Sequence, residues 1–148
     1  MNFGLLGIGS ALALAAIGSA FGAGSAGMAA VGAWKKNYAQ NKQAPFMLVA
    51  FVGAPLTQTI YGYILMNTLV PIREALDPWL LLGIGVFGGA AMGFSAFFQG
   101  KAGAVASDAL GETGKGFANY ILVLGLVEKV ALFVMVFLMG AANQIAGV

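Results

Sequence analysis

The chain has 148 residues, of which 60% are hydrophobic and only 8% charged, with a mean hydropathy of +0.91. Soluble domains carry about 25% charged residues, so composition excludes a soluble globular domain and points to an integral membrane protein. There is no cysteine and no histidine, which excludes disulfides, thiolate metal centres and imidazole chemistry, and a net charge of +2 is too small for nucleic-acid binding.

The first apolar stretch covers about residues 3–33, and no charged segment precedes it, so Met1–Ala30 is not read as a cleaved signal peptide. The polar connector WKKNYAQNKQ leads into a second stretch, about residues 45–70. PIREALDPW then leads to a third at about 79–107, and SDALGETGKG to a fourth at about 117–146. Each stretch can cross a hydrocarbon core of about 30 Å at about 1.5 Å per residue. Backbone groups in lipid must be satisfied internally, so the stretches are predicted to be helices and the chain an all-α membrane protein with four transmembrane helices.

The sequence repeats itself. Leu5-Leu6-Gly7-Ile8-Gly9 recurs as Leu81-Leu82-Gly83-Ile84-Gly85, and Ser19-Ala20-Phe21 as Ser95-Ala96-Phe97, at a constant offset of 76. That register gives 13 identities over the 26 positions from Leu5 to Ala30. The expected organisation is two duplicated helical hairpins, residues 1–72 and 73–148, and an offset that skips two helices gives both the same orientation in the membrane. The first connector carries Lys35, Lys36 and Lys42 and no acid. The lysine excess places the 1–2 and 3–4 loops in the cytoplasm and both termini outside. Small residues recur every fourth position as Gly18, Gly22 and Ala26 and as Gly85, Gly89 and Gly93. Such stripes let helices approach closely, either within one chain or in an inner ring shared among subunits.

The fourth stretch holds Glu128 near the middle of the apolar run Tyr120–Met139. A carboxylate there costs roughly 3 kcal/mol on insertion scales, so such groups mark ion or proton paths. The second stretch adds Thr57 and Gln58, three or four residues before Tyr61 and on one helix face with it. Pro55 frees carbonyls near Phe51 to Ala54 by removing a helical hydrogen bond. Gln99 comes from the third stretch. One carboxylate, two amide oxygens, a hydroxyl and a freed carbonyl would make an oxygen cage for a hard cation, whereas a proton carrier needs only the carboxylate. Each has a plainer reading: threonine bonding back to helix carbonyls, glutamine joining two helices, tyrosine as a core aromatic.

On these residues the chain resembles the proteolipid (K, or c-type) subunits of V/A-type rotary ATPases over essentially its whole length. The likeness rests on the duplicated four-helix hairpin, P-x-T-Q-x-x-Y at Pro55–Tyr61, Q-G-K at Gln99–Lys101 and V-E at Val127–Glu128. The resemblance implies a homo-oligomeric rotor ring in the cell membrane that carries Na+, or alternatively H+, on Glu128. It implies ligation of Na+ by the side chains of Thr57, Gln58, Gln99 and Glu128 and by the backbone carbonyl of Ala54, with Tyr61 bonded to the carboxylate. It also implies partners: further copies of the chain, a stator subunit supplying an arginine, a central-stalk subunit at the cytoplasmic loops, and lipid. Aligning the two hairpins puts Leu56 opposite Glu128, so one ion site serves four helices. The phosphate-binding pattern Gly-x-x-x-x-Gly-Lys-Ser/Thr is absent, so the chain is not expected to be an enzyme by itself. Lys129 departs from the expected pattern, with snorkelling or a pair across a subunit boundary as its outlets. Two rivals are a small cation-coupled secondary transporter, whose repeats are often inverted rather than parallel, and a non-transporting scaffold, which leaves Glu128 unexplained.

Overall fold

A computed structural model describes residues 3–148. Helix α1 runs Leu5–Ala39, α2 Leu48–Ile72, α3 Pro78–Thr113 and α4 Phe117–Ala146, and all four are long and apolar enough to cross a membrane. The first and third helices run farther than hydropathy predicts, to residue 39 instead of about 33 and to residue 113 instead of about 107. Hydropathy reports the bilayer, whereas helix propensity continues into water through Lys35, Lys36 and Asn37 and through Asp108 and Glu112. At 35 and 36 residues these helices are about 50 Å long, well beyond a core of about 30 Å. Their protruding ends meet in an ion pair between Lys36 Nζ and Glu112 Oε1.

Local sequence sets where helices start and stop. Asp77 caps α3, its carboxylate accepting from the backbone N–H of Trp79 at 2.9 Å and of Leu80 at 3.2 Å, with Pro78 at the first helical position. Gly114 ends α3 in the left-handed region at φ +66°, its N–H bonded to the Leu110 carbonyl at 2.8 Å. Inside α2, Pro55 lacks an amide hydrogen, and one 3-10 turn over Ala54–Leu56 absorbs the break.

Helices α1 and α3 lie side by side and parallel, Gly7 beside Gly85, Gly18 beside Gly93 and Gly22 beside Gly100. A Cβ on Gly18 would fall on the Gly93 backbone, and one on Gly100 on the Gly22 backbone. The glycine stripes therefore form the seam between α1 and α3 of a single chain. Helix α2 packs on α1 where Gly62 meets Ala11 and Ala15. Helix α4 closes the bundle against α2 and α3.

Two apolar clusters fill the interior. One includes Ala11, Leu65, Leu69, Leu81, Met92 and Met135, and the other Ala30, Leu48, Phe51, Ala106, Leu110 and Leu124. Phe21, Phe87, Phe94 and Phe137 are exposed on the outside, as a lipid-facing surface allows. The break in α2 and the mid-helix polar residues sit between the clusters.

Candidate ion-binding site

Four side chains from three helices form one continuous hydrogen-bonded chain at mid-bundle. Tyr61 on α2 donates its hydroxyl to Glu128 Oε1 on α4 at 2.8 Å. Gln99 Nε2 on α3 donates to Glu128 Oε2 at 3.2 Å and to the Leu124 carbonyl at 3.0 Å. Gln58 Nε2 on α2 donates to Gln99 Oε1 at 2.7 Å. Gln58 and Gln99 are both 0% exposed, while Tyr61 and Glu128 are half-buried. Both carboxylate oxygens thus accept bonds, as a carboxylate in an apolar belt requires.

The amide of Gln58 is only half satisfied. Its Oε1 is buried and has no hydrogen-bond partner. Leaving a buried acceptor unmade costs about 1–3 kcal/mol, so this oxygen calls for a donor or a cation. Hard cations take carboxylate, amide and carbonyl oxygens, and these are the groups gathered here. The donor set therefore fits a hard monovalent or divalent cation.

Thr57 and Ala54 are arranged differently. Thr57 Oγ1 donates to the Ala54 carbonyl at 3.0 Å, and the Thr57 backbone N–H reaches the same oxygen. They form a local pair at the proline break, and among the described residues no hydrogen bond joins that pair to Glu128. The residues singled out in the sequence thus fall into two groups: Gln58, Tyr61, Gln99 and Glu128 are joined directly, and Thr57 with the Ala54 carbonyl stands beside them.

Two further contacts fix α4 against α3. Ser95 Oγ donates to the Val127 carbonyl at 2.9 Å, next to Glu128, and Gln99 holds the Leu124 carbonyl one turn earlier. Ser95 is buried and lies one helical turn before Gln99 on the same face. That spacing and its recurrence as Ser19 were the available signals, but a serine in a repeat reads equally as packing. Ser19, its counterpart in the first hairpin, is buried without a partner for its hydroxyl.

The fold and this site define a four-helix membrane proteolipid with a single intramembrane carboxylate. Residues 82–139 match the ATP synthase C subunit family, a span that holds Ser95, Gln99 and Glu128. The chain is also 28% identical over 130 residues to the A-type ATP synthase subunit K of Methanocaldococcus jannaschii, an alignment that takes in 88% of this chain. It spans 57% of the length of that relative. With its fold, these matches place the chain among the c/K-type proteolipids of V/A-type ATPases.

Proposed function

We propose that the chain is a rotor-ring subunit of a V/A-type rotary ATPase and carries Na+ across the membrane on Glu128. The observation behind this reading is the buried, unpaired Oε1 of Gln58 beside an amide and phenol network that ends on Glu128. A carboxylate that carries only protons has no use for that oxygen, whereas a cation coordinated by Glu128, Gln58 and Gln99 satisfies it. Thr57 and the Ala54 carbonyl complete the cage when the Thr57 hydroxyl turns a lone pair toward the ion. The ion is the cargo. Glu128 stays ionised while the cation is held, and a proton competes for the same oxygens.

In this reading the chain has no catalytic part. Copies of it form the ring, a stator subunit supplies the arginine that releases the ion, and a central-stalk subunit meets the α1–α2 and α3–α4 loops. Lys35, Lys36 and Lys42 favour the cytoplasmic side for those loops and the outside for both termini. The ring carrying H+ is the second reading, favoured by a carboxylate that is complete in itself once protonated.

A hydrophobic carbodiimide separates the two, because it attacks the protonated carboxyl group. Membranes containing the assembled complex are labelled at fixed pH and ionic strength with sodium varied, and the modified peptide is read by mass. Sodium is expected to slow labelling of Glu128. Acceleration by low pH with no sodium protection would leave H+ as the cargo, and labelling at another residue would remove Glu128 from its central place.

A further inference from the structure

Lys129 is the charged group that the fold leaves unanswered inside the apolar belt. It follows Glu128 directly, and one residue step on an α-helix turns its side chain about 100° away from the carboxylate. It is exposed, and the ion pairs among the described residues, Lys36–Glu112 and Arg73–Glu74, do not include it. Lys101, an exposed lysine on α3, sits 4.7 Å over the Phe97 ring and so has a partner. Lys129 has none among the described residues.

Depth decides what can answer it. Lys129 lies nine residues from Tyr120 and ten from Met139, the ends of the apolar run. At the helical rise this is about 14–15 Å from either end. Lysines near helix ends reach the interface by snorkelling, but a four-carbon stem at the midpoint does not span that depth. An unanswered lysine at a helix centre costs roughly 2.5–3.5 kcal/mol.

The anion does not come from this chain or from a second copy of it. Of its five carboxylates, Glu74, Asp77, Asp108 and Glu112 lie at the helix ends. The fifth, Glu128, is held by Tyr61 and Gln99. Leu122, Leu126, Phe133 and Val136 flank Lys129 at i−7, i−3, i+4 and i+7, and all four are exposed. These spacings make one apolar helix face with a single cation at its centre. Lipid headgroups meet charge at the bilayer surface, whereas a second helix can carry charge to mid-depth. We propose that this face of α4 docks a membrane-spanning helix of a different polypeptide, which presents an aspartate or glutamate to Lys129 at mid-bilayer depth. The pairing depends on α4 crossing the membrane and is independent of which ion Glu128 carries.

Membranes holding the native complex test this with a hydrophobic carbodiimide, which condenses an amine and a carboxylate in direct contact into an amide. The expected product is a peptide that joins Lys129 to an aspartate or glutamate of another membrane polypeptide. It should be absent from Lys129→Arg, which keeps the charge but cannot condense. Lys129→Glu should lose co-purification of that polypeptide in mild detergent while α4 stays helical and inserted, and reversing the partner's acid to lysine should restore it. A cross-link to another copy of this chain would overturn the proposal. So would unchanged co-purification of Lys129→Glu with no cross-link formed. Dependence of the Lys129 variants on phosphatidylglycerol in phosphatidylcholine vesicles would assign the anion to lipid instead. A Lys129 cross-link within a complex that contains no ATPase subunits would sink the rotor reading and leave this docking intact.

Discussion

A single methyl group added to the α1–α3 seam should destabilise the bundle, while the same methyl on the open side of α1 should not. In Gly89→Ala the new Cβ would sit 2.5 Å from the Ser10 carbonyl oxygen, 3.0 Å from that of Ala11 and 3.1 Å from the Ala11 Cα. Ordinary contact begins at 3.4 Å, and every atom in the way is backbone, so no side chain can swing aside. The helices must part, and a gap of about 0.5–1 Å forfeits a quarter to a half of each dispersion well along it. Overpacking of this kind costs about 1–3 kcal/mol. Gly24→Ala is the control, because nothing lies within 4 Å of its Cβ position. There the change should be neutral or gain up to about 1 kcal/mol, the helix-propensity difference between glycine and alanine. Unfolding of the purified chain in mixed micelles, titrated with a denaturing detergent and followed by circular dichroism, reads both. Equal midpoints for Gly89→Ala and the unmutated chain would refute the close approach of α1 and α3.

Two further substitutions probe the polar layer. Tyr61→Phe removes one bond to Glu128 at 2.8 Å and leaves no buried orphan. Membrane hydrogen bonds average about 0.6 kcal/mol and bonds to charged groups reach about 1.5 or more, so the sodium concentration that half-protects Glu128 from carbodiimide should rise about 3–10-fold. An unchanged midpoint would detach Tyr61 from ion binding. Gln99→Leu strands Gln58 Nε2 and releases the Leu124 carbonyl. It should cost about 2–3 kcal/mol of unfolding free energy, and adding Gln58→Leu should recover part of that loss, because removing both partners is milder than orphaning one. A double variant less stable than Gln99→Leu alone would contradict the network.

The helices were legible in the sequence because a bilayer demands long apolar runs, and each of the four runs has a helix at its place. Their ends were less so. Residues 34–39 and 108–113 are polar, and hydropathy stops where lipid stops although the helix continues into water. The glycine stripes were visible too, but a stripe of small residues states only that something approaches closely. The chain's own α1 and α3 answer it, with residue n of one helix near residue n+76 of the other, as the Lys36–Glu112 pair illustrates. The duplication offset thus reappears as the register of two parallel helices.

At the site, spacing was a good guide where the helix is regular and a poor one at its break. Gln58 and Tyr61 follow the 3-10 turn, three apart on continuous helix, and both join the network. Thr57 stands at the turn itself, where the freed Ala54 carbonyl is the nearest acceptor and captures its hydroxyl. The proline that frees an oxygen also brings a competitor for it, and no residue pattern ranks the two. The same competition bears on Gln99. Its Oε1 accepts from Gln58 and its Nε2 donates to Glu128, so its amide is engaged at both ends. A cation held by both amide oxygens therefore has to replace the Gln58–Gln99 bond, whereas a proton on Glu128 leaves that bond alone. Cation binding would satisfy the orphaned oxygen of Gln58 and release its amide hydrogens, and proton binding would do neither, so the state of this one glutamine separates the two cargoes.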